Sequence, residues 1–223
     1  MIFFDLDGTL LDHKGSELLA VKAFYEQYKR ALRLEEESFY KIWGQASDKY
    51  FNIYLKGEMT FKEQRIERIK YIFSFSKIIV TDEEAKEIFE VYLKMYEENW
   101  KSFEDVISCL QGLRKYRLGI ITNGDLEQQC LKLDKLKIKD YFDIIITAGE
   151  VGVAKPDSKI FQIACNRAKV NHENCVYVGD DLNVDIIPCM EAGLHGIWLN
   201  RKGEHNTQDI TMIKSLGVLK SVL

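Results

Sequence analysis

The sequence predicts an α/β fold: a doubly wound, mainly parallel five-stranded sheet with an inserted α-helical bundle. Three observations predict it. Five short runs, IFF, LGIIT, IIIT, CVYV and GIWL, are apolar on both faces, as strands covered on both sides must be. The last four are spaced by helix-length segments, the spacing that parallel strand connections require. The first run stands apart from the others, across a long stretch of helical texture.

That stretch contains no proline and carries mixed, nearly balanced charge. Ser16 reads as the cap of a first helix carrying Leu18, Leu19, Ala23 and Phe24. Two capping boxes mark later helix starts, Thr60 with Glu63 and Thr81 with Glu84. After Thr81, Ile88, Val91, Tyr92 and Met95 recur at helical spacing between acids and lysines. About four amphipathic helices follow, packed as a bundle. The expected domains are residues 1–14 with 105–223 as the α/β core and 15–104 as the helical insertion.

Composition narrows the function classes. With 223 residues, 46% apolar and 30% charged, the chain can bury a sizeable core. A net charge of −4 argues against nucleic acid or an anionic membrane held by bulk charge. The five cysteines form no CxxC pair, and no signal peptide or long apolar segment occurs, so the expectation is reduced thiols in a cytoplasmic protein. The four histidines are scattered without HxH or HExxH spacing, which argues against zinc.

The polar residues sit at strand ends, where open parallel sheets bind ligands. The first strand runs into Asp5 and Asp7, the second into Thr122, Asn123 and Gly124, and the fourth into Gly179, Asp180 and Asp181. The third leads through a loop to Lys155-Pro156. Each piece alone has an ordinary explanation: an Asx turn, a tight turn, a surface lysine, a helix cap. An EF-hand loop fits DLDGT poorly, since Leu10 holds the position where glycine is needed. Together the pieces form an inventory for phosphate chemistry. Clustered carboxylates invite magnesium, a hard cation, and a hydroxyl, backbone amides and a lysine suit phosphate oxygens.

Four segments in order, DLDGT, ITNG, VAKP and GDDLNVD, resemble the four motifs of the haloacid dehalogenase superfamily. The phrases GIITNGDLEQQ, YFDIIITAGEVGVAKPDSKIF and AGLHGIWLNRKG are similar to its branch of pyrimidine 5'-nucleotidases and N-acylneuraminate-9-phosphate phosphatases. The resemblance implies a Mg2+-dependent phosphatase of small phosphomonoesters that works through an aspartyl-phosphate. In that scheme Asp5 is the nucleophile, and Asp7 protonates the leaving oxygen and later activates water. Two residues of separation put both acids on one side of an extended segment, and Gly8 permits the turn that aims the second. Asp5, the Asp7 carbonyl and Asp180 hold magnesium. Thr122, Asn123, Gly124 and Lys155 bind phosphate oxygens, and Asp181 and Asp185 support the metal site. Haloalkanoate dehalogenases of the superfamily lack an acid at the Asp7 position, so its presence favours phosphate esters. A phosphoglucomutase-type transferase shares the motifs and is the alternative reaction. A binding module without catalysis is disfavoured by the intact acids, threonine and lysine.

The insertion holds 18 of the chain's 26 aromatic residues. Most should pack a helical core, and a few could stack on a substrate base. Trp43, Tyr50, Tyr54 and Arg65 lie where the insertion resembles the nucleotidases. The expected substrate is therefore a pyrimidine nucleoside monophosphate, with a sugar or acylneuraminate phosphate as runner-up, and the connections near 12–16 and 101–106 are the expected hinges.

Overall fold

The computed structural model describes residues 1–205 and 210–223, in two compact units. The first comprises Met1–Asp12 and Lys101–Leu223, the second His13–Trp100, against 15–104 expected from the sequence.

The first unit is built on a parallel sheet of strands β1 (Ile2–Phe4), β2 (Leu118–Thr122), β3 (Ile144–Thr147), β4 (Val176–Gly179), β5 (His195–Leu199) and β6 (Met212–Ile213). Their order is β3-β2-β1-β4-β5-β6, and every neighbouring pair is parallel. Among the described residues the sheet thus has six strands where the sequence shows five. The extra one is a two-residue edge strand, too short to carry any periodicity. Succession reverses between β1 and β4, so the crevice for a ligand lies beyond the carboxyl ends of these two strands.

Register explains why the runs are apolar throughout. Phe3 pairs with Gly119 and Tyr177, and Ile121 with Ile146, so these residues share one face. That face packs on the buried side of α8 (Lys159–Ala168), through Ile160, Phe161, Ala164 and Cys165. Alternation sends Phe4, Ile120, Val178 and Ile197 to the other face, where they are equally buried. The five cysteines are free thiols, and no helix among the described residues is long and apolar enough to cross a membrane.

The carboxyl side of the unit is tied by Asp105, just before α5 (Val106–Gly112). Its carboxylate accepts from Arg201 Nη1 and Nη2 at 2.8 and 2.9 Å, from Ser215 Oγ at 2.7 Å and from the Leu216 amide at 2.9 Å. Burial raises the Asp105 carboxyl, but these bonds outweigh it and hold it below its ordinary 3.8. A depressed carboxyl contributes stability that is present above the unfolded value and lost as pH falls through the folded one. Asp105→Asn is expected to lose about 2 kcal/mol at neutral pH. Urea melts should show its deficit against wild type shrinking below about pH 4.

The second unit holds α1 (His13–Leu32), α2 (Glu36–Leu55), α3 (Phe61–Ser74) and α4 (Asp82–Glu98). Both capping boxes are formed: Thr60 Oγ1 accepts from the Glu63 amide and Thr81 Oγ1 from the Glu84 amide, with each glutamate reaching back to its threonine's N–H. Ser16 is not a cap. It lies inside α1, buried, and donates to the Asn99 carbonyl at 2.9 Å. The inward stripe of α1 is Ala20, Val21, Phe24 and Tyr25, while Leu18 and Leu19 are exposed. In α4 the buried stripe is Ala85, Phe89, Tyr92, Leu93 and Tyr96, so of the four residues expected there only Tyr92 is fully inside. Both misreadings come from apolar residues next to the stripe, which shift its apparent phase by one position.

Candidate active site

Asp5 follows the last residue of β1 and continues its pairing, donating its N–H to the Val178 carbonyl at 2.9 Å. Its side chain is 5% exposed and its Oδ1 lies 2.7 Å from Lys155 Nζ. The same ammonium reaches Asp185 Oδ1 at 2.6 Å and Tyr177 Oη at 2.9 Å. Tyr177, from the middle of β4, also has its hydroxyl oxygen 3.1 Å from the Ile121 carbonyl and 3.0 Å from Asp185 Oδ1, and its single hydrogen serves these two acceptors. A buried lysine thus sits between two buried carboxylates, the pairing that makes its burial tolerable.

The charge balance of this cluster shows in its acidities. Burial is the largest influence on Asp5 and raises its carboxyl well above the ordinary range. Lys155 opposes this, and Asp185 and Asp180 add to it. Burial lowers Lys155, but Asp185 and Asp5 more than compensate, so the ammonium is held above its ordinary value.

Asp180 stands just past β4. Carboxylate oxygens of Asp5, Asp180 and Asp185 lie within 4.8 Å of one another, and all are hard donors. These residues fit a magnesium ion. Asp185 is otherwise engaged: its Oδ1 accepts from Lys155 and Tyr177, and its Oδ2 from the Asp181 amide at 3.1 Å. Asp181 turns away from the cluster, capping the turn at Leu182–Ile186 by accepting from the Asn183 and Val184 amides, each at 2.9 Å. The joint support role expected for Asp181 and Asp185 therefore divides. Asp185 orients the lysine, and Asp181 shapes the loop.

Two glycines allow this crowding. Gly8 has φ +101°, and a Cβ there would lie 2.5 Å from an Asp180 carboxylate oxygen. A Cβ on Gly179 would lie 2.5 Å from the Asp185 carboxyl. Gly8→Ala is expected to displace Asp180 and weaken magnesium binding at least tenfold, a change isothermal titration with Mg2+ would report.

Thr122 ends β2 and is 1% exposed. Asn123 does not offer its side chain to a ligand. Its Oδ1 accepts from the Lys155 amide at 2.7 Å and its Nδ2 donates to the Lys155 carbonyl at 2.9 Å, locking the ITNG and VAKP loops together. The loop expected after β3 contains a helical turn, α7 (Ala148–Val151), capped by Thr147. Asp7 lies beside Thr122, with both oxygens on Lys132 Nζ and Oδ2 also on Gln129 Nε2.

Tyr177, Gln129 and Lys132 escaped the sequence reading. Gln129 and Lys132 lie three residues apart on α6 (Leu126–Lys135), so they share a face, and that face is buried. The signal was the Asp125 cap, which sets the helix phase and turns two polar residues inward with Leu133.

Of the residues noted in the insertion, Trp43 and Tyr50 are buried, while Tyr54 and Arg65 are half-buried. Trp43 packs on Phe24, Phe39 and Tyr92, with ring centroids at 5.2, 5.8 and 4.5 Å. The Arg68 guanidinium lies 5.4 Å from the Trp43 ring centroid. Trp43 is core of the helical unit, which displaces the expectation that it stacks on a base.

A search of protein-family models matches residues 1–193 to the haloacid dehalogenase-like hydrolases. Over its full length the chain is 30% identical to a glyceraldehyde 3-phosphate phosphatase of Methanothermobacter thermautotrophicus, covering 98% of that protein. It is 30% identical to human N-acylneuraminate-9-phosphatase, over 91% of this chain and 83% of that one. It is 32% identical to the Escherichia coli pyrimidine 5'-nucleotidase YjjG, over 60% of this chain and 62% of that one. Among solved structures, the HAD-hydrolase YfnB of Bacillus subtilis shares the fold with a TM-score of 0.79 and 22% identity, covering 99% of this chain and 96% of its own. The four motif segments meet at one sheet end, and the family match spans all of them: the chain belongs to the haloacid dehalogenase-like hydrolase family.

Proposed function

We propose that this hydrolase is a magnesium-dependent phosphatase of small phosphomonoesters that works through an aspartyl-phosphate on Asp5. The observation that carries the reading is the arrangement of Asp5. It is a buried carboxylate held 2.7 Å from Lys155, at the end of β1, with Asp7 two residues on beside Thr122. A nucleophile needs orientation and a nearby positive charge, and an acid–base partner needs separation from it; both are present.

In the first half-reaction an Asp5 carboxylate oxygen bonds to phosphorus, the ester P–O bond breaks, and the leaving oxygen takes a proton from Asp7. In the second, water bonds to phosphorus and gives a proton to Asp7, and the bond from phosphorus to Asp5 breaks. Lys155 offsets the charge that builds on the phosphoryl oxygens. Thr122 and the amides of Asn123 and Gly124 hold non-bridging phosphoryl oxygens, which move with phosphorus. Asp5 and Asp180, whose carboxylates lie together, and the Asp7 carbonyl that the family resemblance adds, would hold magnesium, which would supply a further positive charge at the phosphoryl group.

Two relatives matched over nine-tenths or more of the chain are named for a triose phosphate and an acylneuraminate phosphate. That supports a sugar-type phosphate as substrate and promotes the earlier runner-up. A pyrimidine nucleotide is the second reading, favoured by the likeness to the nucleotidase. The test is kcat/KM with Mg2+ on glyceraldehyde 3-phosphate, an acylneuraminate 9-phosphate, ribose 5-phosphate, dUMP and dTMP. The sugar phosphates should lead, and activity should vanish with EDTA. Leading nucleotides would establish the second reading, and no phosphate release from any ester would overturn the phosphatase.

Trp43→Leu is expected to cost about 2–3 kcal/mol of stability and to leave the order of substrates unchanged. A selective loss on nucleotides would return Trp43 to base recognition.

A further inference from the structure

Asp7 is held by two side chains that none of the four motif segments contains. Lys132 Nζ donates to both of its oxygens, at 2.7 and 2.8 Å, and Gln129 Nε2 donates to Oδ2 at 2.7 Å. Gln129 is fully buried and Lys132 is 3% exposed. Charged lysines are almost never buried this deeply without a partner that requires them.

From this we infer that Lys132 and Gln129 are positioning residues of the reaction, fixing the Asp7 carboxyl and tying it to Thr122. The inference rests on the phosphatase reading above. A cation shared by both carboxylate oxygens resists rotation of the carboxyl about its bond to Cβ. Gln129 adds the link to phosphate binding, because its Nε2 also lies 2.7 Å from Thr122 Oγ1. With Asp7 ionised its carboxylate only accepts, and Gln129 presents its amide nitrogen to Oδ2. Thr122 Oγ1 therefore accepts from Gln129 and keeps its own hydrogen to donate to a phosphate oxygen. Gln129 Oε1 is buried and has no partner, so the amide is oriented by what its nitrogen holds.

The phosphate loop is built around the same amide. A Cβ on Gly124 would lie 2.4 Å from Gln129 Cδ, so only glycine lets that loop close on it. Acid, hydroxyl donor and loop backbone thus pack on one side chain, and Lys132 fixes the acid from a second direction.

A lysine that merely neutralises a buried acid would, when removed, lower stability or slow every substrate by the same factor. A positioning residue has a different signature, because Asp7 matters unequally to different esters. An alkyl leaving group needs its proton, whereas p-nitrophenolate departs without one. The test compares wild type, Lys132→Met, Lys132→Arg and Gln129→Met on p-nitrophenyl phosphate and on the best alkyl phosphate of the substrate screen, with Mg2+.

Lys132→Met should lose about 100-fold in kcat on the alkyl ester, with KM within about threefold of wild type. On p-nitrophenyl phosphate it should release a stoichiometric burst of nitrophenolate before slow turnover, since phosphorylation proceeds and water activation does not. Lys132→Arg should recover at least tenfold of the alkyl-ester loss. Gln129→Met, neutral and of similar length, should show the same split more weakly, and it carries the comparison if Lys132→Met does not fold. Equal losses on both esters without a burst, or no loss, would overturn the positioning role while leaving the phosphatase standing. A wild type inactive on every ester would overturn both.

Discussion

Asp5→Asn is expected to lower turnover by about a thousandfold or more without unfolding the protein. The substitution keeps the shape of the side chain and removes the carboxylate oxygen proposed to attack phosphorus. Its effect on stability runs the other way. The Asp5 carboxyl is raised in the folded state, chiefly by burial, with Asp185 and Asp180 opposing the relief that Lys155 gives. A raised carboxyl favours the fold at pH below its unfolded value and costs stability as pH rises through the folded value. The asparagine escapes that cost, and Lys155 retains Asp185 at 2.6 Å. Without magnesium, the variant should therefore match or exceed wild type in stability at neutral pH, with an advantage that grows as pH rises. Thermal melts in EDTA across pH, beside steady-state assays with Mg2+, measure both halves.

Lys155→Met should be the most damaging change to the site as a structure. It leaves Asp5 and Asp185, each within 2.7 Å of the ammonium, without their shared cation. Removing one partner of a buried ion pair costs about 3–5 kcal/mol, which corresponds to a Tm lower by roughly 10 °C for a chain of this size. Lys155 is raised in the folded state by Asp185 and Asp5 against the lowering by burial. On the alkaline side its contribution is thus whole up to its ordinary 10.5 and is lost as pH climbs through the folded value. In acid the deficit of Lys155→Met should narrow, because Asp5 can take up a proton. Added Mg2+ should narrow it too, by supplying positive charge to the same carboxylates. Activity should fall with or without the stability loss, since no other described cation lies on Asp5 Oδ1.

The sheet was legible because strands buried on both faces must be apolar throughout, and IFF through GIWL are. The edge strand Met212–Ile213 was not legible, since two residues carry no period. Asp5, Thr122, Lys155 and Asp180 were legible as candidates only together: each alone has an ordinary explanation, but polar residues at or beyond the ends of successive apolar runs converge on one sheet end. Gln129 and Lys132 were hidden for the opposite reason. They sit inside a helix among glutamines, lysines and acids, where only the helix phase distinguishes an inward residue from an outward one. Tyr177 was hidden inside a strand, where it reads as one more apolar residue although its hydroxyl completes the Lys155 cluster. Trp43 shows the remaining limit. An aromatic in an amphipathic helix looks alike whether it meets a ligand or a neighbouring ring, and here it meets Phe24, Phe39 and Tyr92.

The covalent intermediate on Asp5 is the claim on which the other assignments depend. Asp7→Asn is expected to slow the second half-reaction, so the sharpest test mixes it with p-nitrophenyl phosphate and Mg2+, quenches in acid and maps peptides by mass spectrometry. One phosphoryl group is expected on the peptide that contains Asp5, lost on treatment with hydroxylamine and placed at Asp5 by borohydride reduction. Nitrophenolate release with no phosphoryl group on that peptide, or with the group on another residue, would contradict it.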